Sequence, residues 1–260
     1  MRRACVFKGS WYPADPEDLD RYVKVSGEGE LSGAVLPHAG LFYSGSLISD
    51  FFTSLSPSVE HITVISPSHY FRLSRDTFYS AGYTSSATPY GPVETVPLEL
   101  GVRADRALQA EHGIEMFLPF AAKKGLSVSY LLLSDVSSPE SARRLSEELL
   151  EAVPPHSALI ASSDFTHYGP SFGYTPWPGK DAKARTESWD GRAADLLSKS
   201  ETDTVFREYH RTSTICGLSP AMVVSAALSS LDGRTGRHYT SLDKSGDSTD
   251  FVDYQTVFWS

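Results

Sequence analysis

Three short apolar runs, each followed by a histidine or an aspartate, constrain the fold more than any other feature of this sequence. Runs of this length between turn residues are typical of buried strands. Pro37 cannot donate to a sheet ladder, so the first strand ends there and His38 lies at its carboxyl end. Ligands bind at this edge of open α/β sheets, which predicts a functional site there. The runs and the polar residues that follow them are 33–36 with His38, 62–65 with His69, and 158–161 with Asp164 and His167.

The rest of the chain alternates between helical and strand patterns. This alternation predicts an α/β fold: a single domain over residues 1–260 with a mixed, largely parallel central sheet flanked by helices. Pro and Asp at its start favour a helix beginning near Asp15. The predicted helices are 15–25, 44–55, 97–110, 139–153, 181–198, 201–210 and 220–231, and further strands are predicted at 128–133, 238–242 and 252–259.

Composition narrows the class of protein. The formal charge of −9 over 260 residues argues against nucleic acid as a partner. The sequence has no apolar stretch of about 18 residues, so no membrane partner is expected. Two cysteines, Cys5 and Cys216, make no disulfide framework, and a cytoplasmic, reduced protein is expected. Asp243, Asp247 and Asp250 lack the spacing of a calcium loop and are predicted to be solvated.

Two histidines and a cysteine form a candidate metal site. His38 and His69 lie one β-α-β step apart, which predicts that they share one sheet edge. Cys216 lies in a turn before an apolar helix, where the pKa of a thiol is expected to be lowered. Two imidazoles and a thiolate suit Zn, Fe or Cu. The residues alone leave open the alternative of structural histidines and an inert buried cysteine.

The other polar residues predict a cleft with acid–base chemistry. His167 is a candidate acid/base group that Asp164 orients, although a turn cap and a packed histidine would give the same pattern. His112 and Glu115 have the spacing that begins an inverted zinc-protease motif, but Met116 replaces the required second histidine. They are instead predicted to line the cleft.

Six ordered segments together carry a resemblance to a known family. The segments are Gly9-Ser10-Trp11-Tyr12-Pro13, Pro37-His38-Ala39-Gly40 with Tyr43-Ser44-Gly45, Pro67-Ser68-His69, Glu111-His112-Gly113-Ile114-Glu115-Met116 with Leu118-Pro119-Phe120, Ser162-Ser163-Asp164-Phe165-Thr166-His167, and Thr214-Ile215-Cys216-Gly217. As a set they resemble the Memo family, whose microbial members are labelled protein B of the AmmeMemoRadiSam system. The resemblance covers almost the whole chain.

The resemblance implies a fold similar to that of LigB-type class III extradiol dioxygenases. It also implies a metal site made of His38, His69 and Cys216, with Asp164 and His167 nearby and His167 as the acid/base group. Family members are linked to iron or copper and redox chemistry, animal members also to phosphopeptide binding, and microbial members to radical-SAM system proteins. Cysteine stands where the dioxygenases use a carboxylate, so ring cleavage itself is not implied.

Two positions depart from the family pattern, and both predict a changed pocket polarity. Gly113 stands where serine is common, and Phe117 stands where a polar residue or histidine is frequent.

The leading hypothesis is a metalloprotein that uses Fe(II) or Cu for redox or oxygen-dependent chemistry on an unknown small molecule or peptide. Tyr43, His112 and Glu115 are its predicted substrate-binding residues. A Zn-dependent hydrolase would use the same residues with an activated water. The third hypothesis is a non-catalytic module that binds a peptide or a partner in the same cleft.

Overall fold

Strands and helices alternate along residues 1–246 and 249–260, the part of the chain that a computed structural model of the protein describes. Asp247, predicted above to be solvated, lies outside these residues. The strands are β1 (Arg2–Arg3), β2 (Gly33–Leu36), β3 (His61–Ser66), β4 (Phe78–Ser80), β5 (Ser85–Thr88), β6 (Gly91–Glu94), β7 (Val102–Arg103), β8 (Ser127–Leu133), β9 (Ser157–Ser162), β10 (His167–Tyr168), β11 (Gly233–Thr235), β12 (Tyr239–Thr240), β13 (Phe251–Tyr254) and β14 (Val257–Trp259). The helices are α1 (Pro16–Leu19), α2 (Leu41–Thr53), α3 (Asp105–Ala110), α4 (His112–Glu115), α5 (Leu118–Lys124), α6 (Pro139–Ala152), α7 (Ala182–Ser198), α8 (Thr202–Tyr209), α9 (Leu218–Ala227) and α10 (Leu242–Ser245).

The central sheet has eight strands in the order β11-β14-β2-β9-β3-β8-β4-β7. Its four middle strands, β2, β9, β3 and β8, are parallel, and β14 and β4 join them in antiparallel orientation. The middle strands are buried almost throughout, as expected when helices cover both faces of a parallel sheet. The predicted α/β fold with a mixed, largely parallel sheet flanked by helices is therefore confirmed.

Helices cover the two faces of this sheet with two separate apolar layers. Phe51 and Phe52 of α2 pack with Phe120 of α5 on one face. Leu145 of α6 and Met222 of α9 belong to the layer on the other face. No helix within residues 1–246 and 249–260 is long and apolar enough to cross a membrane.

Strand order brings the three predicted site segments together. β9 lies between β2 and β3 and pairs with both, so its carboxyl end separates those of the two histidine-bearing strands. A small sheet, β10-β13-β12, continues from that end, with His167 opposite Val252. The histidines are thus on near-neighbouring strands, and the segment carrying Asp164 and His167 lies between them.

Several element predictions were wrong in extent. The helix predicted at 97–110 is strand β7 followed by the short α3, because Gly101 has a φ of +71° that interrupts any helix there. The helix at 15–25 is reduced to α1, although Asp15 does accept bonds from the amides of Glu17 and Asp18 as its N-cap. The strand at 252–259 is divided into β13 and β14, which belong to different sheets. Phe117, which was predicted to change the polarity of the pocket, is completely buried in the same apolar layer as Phe51, Phe52 and Phe120.

Candidate metal centre

His38 follows β2 and Pro37, and its ring is fixed from behind. The side chain of Ser162 donates to the carbonyl of Gly113 at 2.7 Å, so its single proton is already used. The contact of 2.7 Å between His38 Nδ1 and Ser162 Oγ therefore has the imidazole as donor. This leaves His38 Nε2 with a free lone pair, the arrangement seen in metal-ligating histidines. Burial, followed by the charge of His69, lowers the pKa of His38 well below its usual value.

His69 is held in the same way by a carboxylate. Its Nδ1 lies 2.7 Å from Oε1 of Glu111, and its backbone N–H donates to Oε2 at 2.9 Å. Burial opposes ionisation of Glu111, but the bonds and charge of His69 outweigh it and lower the pKa of this carboxyl. An ionised Glu111 accepts the Nδ1 proton, which leaves His69 Nε2 available.

His112 completes a group of three imidazoles. One ring nitrogen of each of His38, His69 and His112 lies within 4.8 Å of the other two. Tyr70 Oη contacts His112 Nδ1 at 3.0 Å. Burial lowers the pKa of His112 to about 4, so its ring is neutral near pH 7 and able to bind a cation. The sequence predicted His112 as a substrate-binding residue, and the structure adds it to the candidate ligands.

Cys216 approaches the group from the side of His38. Its Sγ lies 3.2 Å from His38 Nε2 and 3.4 Å from the carbonyl oxygen of Asp164. The expected lowering of its pKa is wrong for this structure: burial and the charge of Asp164 raise the pKa of the thiol well above its usual value. A helix N-terminus cannot offset this desolvation, whereas a cation bound at His38 would favour the thiolate.

Asp164 and His167 flank this group on the loop after β9. Oδ1 of Asp164 accepts bonds from the backbone N–H groups of His38 at 2.8 Å and of Ala39 at 3.3 Å. Burial raises the pKa of Asp164. Nδ1 of His167 contacts two carbonyl oxygens, of Phe165 at 3.1 Å and Thr214 at 3.2 Å, so it carries a proton. Neutral His167 therefore presents an unprotonated Nε2.

A cleft of about 540 Å³ opens in front of these side chains. Tyr43 and His112, the predicted substrate-binding residues, line it together with His38, His69, Asp164 and His167. Its walls are rich in aromatic rings, which is the composition of a site for a small organic ligand. The other lining residues are Ser10, Trp11, Ala39, Gly40, Phe42, Phe172, Val252 and Tyr254.

Glu115 does not contribute its carboxylate to this cleft. It is completely buried and accepts four bonds from the N-terminal segment, which contains Trp11. Trp11 in turn lies with its ring centroid 4.4 Å from that of His112. Glu115 therefore positions a wall of the cleft instead of binding a substrate. Its four donors are Arg3 Nη1 at 2.7 Å, Val6 N at 3.0 Å, Phe7 N at 2.7 Å and Tyr12 Oη at 2.8 Å.

The residues that hold the imidazoles from behind were not predicted from the sequence. Glu111 precedes His112 in one of the six family segments, and Ser162 is the last residue of β9. Neither position shows from the sequence which histidine the side chain will contact. Gly113 also lies behind the imidazoles, and it matters there for a steric reason. A Cβ atom there would lie 2.3 Å from Ser66 Oγ and 3.2 Å from His38 Nδ1, so the departure from serine leaves room for the His38 ring.

Comparison with known proteins identifies the family. The sequence model described as Memo-like protein matches residues 3–258. The chain belongs to the Memo family. Memo relatives include a MEMO1 family protein of Thermococcus onnurineus, 27% identical over 99% of both chains. Another, from Methanosarcina mazei, is 28% identical over 99% of this chain and 98% of its own. The protein memo-1 homolog of Caenorhabditis elegans is 28% identical over 86% of this chain and 71% of its own.

The side chains in this Memo protein fit a transition metal. His38 and His69 offer aligned nitrogen donors, and either Cys216 or His112 is placed to act beside them. Imidazole and thiolate donors suit Fe, Cu and Zn, whereas Mg and Ca prefer oxygen.

Proposed function

We propose that this Memo protein is a metal-dependent oxidoreductase that holds Fe(II) or Cu at His38 and His69 and acts on a small molecule or peptide in the adjoining cleft. The observation that carries the proposal is the pair of fixed imidazoles. Ser162 and Glu111 accept the Nδ1 protons, so both Nε2 atoms are available without any rearrangement. Histidines kept only for packing do not require this arrangement.

Each group around the cleft then has a role. A bound iron or copper ion would supply one-electron redox chemistry. His167 Nε2 accepts or returns a substrate proton, because its Nδ1 is already held by two carbonyl oxygens. Asp164 fixes the backbone at His38, and Tyr43 and Trp11 contact the substrate.

The third ligand is a choice between Cys216, which the family resemblance implies, and His112, which belongs to the compact histidine group. We propose Cys216, because its Sγ already lies 3.2 Å from His38 Nε2. His112 then contacts the substrate. Cobalt(II) substitution distinguishes the two, since thiolate ligation adds an intense ligand-to-metal charge-transfer band.

The decisive experiment is metal analysis of anaerobically purified protein beside four variants. We expect about one Fe or Cu per chain, lost in His38→Ala and His69→Ala. Cys216→Ser should abolish the cobalt charge-transfer band, whereas His112→Ala should retain it. Stoichiometric Zn would favour the hydrolase. Absence of metal after reconstitution would refute both enzymes.

An aromatic rim favours the non-catalytic alternative, a module for a peptide or partner protein. Phe42, Phe172 and Tyr70 remain 51%, 44% and 50% exposed at or beside the cleft mouth. In that case His167→Ala would leave biological activity intact, whereas Phe42→Asp would abolish it. Radical-SAM system partners and a cytoplasmic location remain predictions.

A further inference from the structure

Two carboxyl groups are buried against each other behind the cleft. Asp190 of α7 and Asp253 of β13 are both completely buried, and their side chains are hydrogen-bonded to one another. Both residues also hold Thr166, which lies between Asp164 and His167. The backbone N–H of Thr166 donates to Oδ2 of Asp190 at 2.9 Å, and its hydroxyl lies 2.7 Å from Oδ1.

A hydrogen bond between two carboxyl groups needs one proton. Apart from Asp190, the partners of the Asp253 side chain are donors: the backbone N–H of Tyr254 at 3.1 Å and the amide nitrogen of Gln255 at 2.8 Å. At Asp190, Oδ2 accepts the N–H of Thr166, and the Thr166 hydroxyl donates to Oδ1 but can rotate to accept, so Oδ1 meets no fixed donor. The arrangement is therefore compatible with neutral Asp190 and ionised Asp253.

The backbone of β13 continues the same connection. Phe165 N donates to the carbonyl of Asp253 at 3.0 Å, and Asp253 N donates to the carbonyl of Thr166 at 2.9 Å. His167 then pairs with Val252. Every residue between Asp164 and His167 is therefore tied to the helix and strand that carry the two acids.

We propose that Asp190 and Asp253, sharing one proton held on Asp190, position the 164–167 loop so that Asp164 and His167 face the cleft. The acid–base role of His167 rests on the proposed function, but the positioning of its ring does not. The pair acts through Thr166 and does not touch the cleft itself.

The ionisable groups facing the pair are consistent with this proton position. Burial raises the pKa of Asp253 as well, but the hydrogen bonds from Gln255 and Asp190 and the charge of His238 oppose that rise, while the charge of Glu187 adds to it. Tyr174 and Tyr209 also lie near Asp190, and burial is the main cause that raises their pKa values. Burial and the charge of Asp253 raise the pKa of Asp190 well above its usual value.

Substitution by asparagine tests where the proton lies. Asp190→Asn retains an oxygen acceptor for Thr166 and adds an N–H donor toward Asp253, so it imitates the neutral acid. We expect its Tm near pH 7 to equal or exceed that of the wild type. Asp253→Asn places an amide beside two donors and should lower the Tm by about 5 °C. The opposite order would overturn the assignment of the proton to Asp190.

The pH dependence is a second, independent readout. An acid whose pKa is raised by folding takes up a proton on folding, so the contribution of Asp190 to the stability of the wild type falls as pH rises above about 4. Asp190→Asn lacks this loss. The Tm of the variant minus that of the wild type should therefore increase between pH 4 and pH 8, and a difference that is constant or falls would refute a protonated Asp190.

The positioning role is tested through the tautomer of the His167 ring, measured by ¹⁵N NMR in the metal-free full-length protein. The His167→Gln variant assigns the His167 resonances. We expect Asp190→Asn to preserve the Nδ1-protonated tautomer, and Asp190→Ala and the milder Thr166→Val to reduce its fraction. An unchanged tautomer in folded Thr166→Val would overturn the positioning role. Because no metal or substrate is present, this outcome is separate from any failure of the proposed oxidoreductase.

Discussion

Replacing Glu111 by alanine is expected to weaken metal binding about 10- to 100-fold. Glu111 fixes His69 twice, through Nδ1 at 2.7 Å and the backbone N–H at 2.9 Å, and it also accepts from Gly113 N at 3.0 Å. Without the carboxylate, the His69 ring loses the acceptor that keeps Nδ1 protonated and Nε2 free. The expected loss corresponds to about 1.4–2.7 kcal/mol of binding free energy.

The assay is a competition titration with a chromophoric chelator at fixed pH, using Co²⁺ or Zn²⁺ as the probe. Glu111→Gln retains one oxygen acceptor and should lose less affinity than Glu111→Ala. Glu94→Ala, at an exposed glutamate of β6, is the control and should bind as the wild type does. Thermal unfolding of each metal-free variant separates a loss of affinity from a loss of folding.

The result that would refute this reasoning is a folded Glu111→Ala variant with wild-type metal affinity. His69 would then need no carboxylate to orient its ring. Metal affinity would also be unchanged in Glu111→Ala if His69 were not a ligand. In that case His69→Ala would bind metal as tightly as the wild type does.

Three further predictions concern other parts of the structure. Glu115→Ala should destabilise the protein by about 3–5 kcal/mol in urea unfolding, because it leaves Arg3 buried without its partner at 2.7 Å, whereas Glu115→Gln should cost less. Gly113→Ala should cost about 1–3 kcal/mol and weaken metal binding, since its Cβ would meet a serine oxygen at 2.3 Å. Gly191→Ala, in an open position of α7, should instead stabilise by about 0.5–1 kcal/mol, and equal effects of the two substitutions would contradict the steric argument. Burial lowers the pKa of His61 to about 4, so up to about 3 kcal/mol of stability should be lost as pH falls from about 6.5 to 4. His61→Asn should show a smaller loss over that window, and an unchanged pH profile would contradict this assignment.

Local patterns predicted which segments form the site, but not how their side chains are held. Turn residues and apolar runs placed His38 and the 164–167 loop at strand ends, and the structure has them there. The pattern at 97–110 was misleading because propensity cannot show that Gly101 must take a positive φ where Phe78 passes close by. Likewise, the His-x-x-Glu spacing could not show that Glu115 turns away from His112 toward Arg3.

The sequence by itself determined the α/β class, the family, and the sheet edge at which histidines and a cysteine collect. These depend on periodicity, turn chemistry and motif order, all encoded within a few neighbouring residues. The tertiary structure alone decided that β9 lies between β2 and β3, that Glu111 and Ser162 orient the imidazoles, and that the Cys216 thiol has a raised pKa. The physical reason is that hydrogen-bond partners and desolvation depend on which distant surfaces pack together. Cys216 and His38, which are 178 residues apart in the chain, meet for that reason.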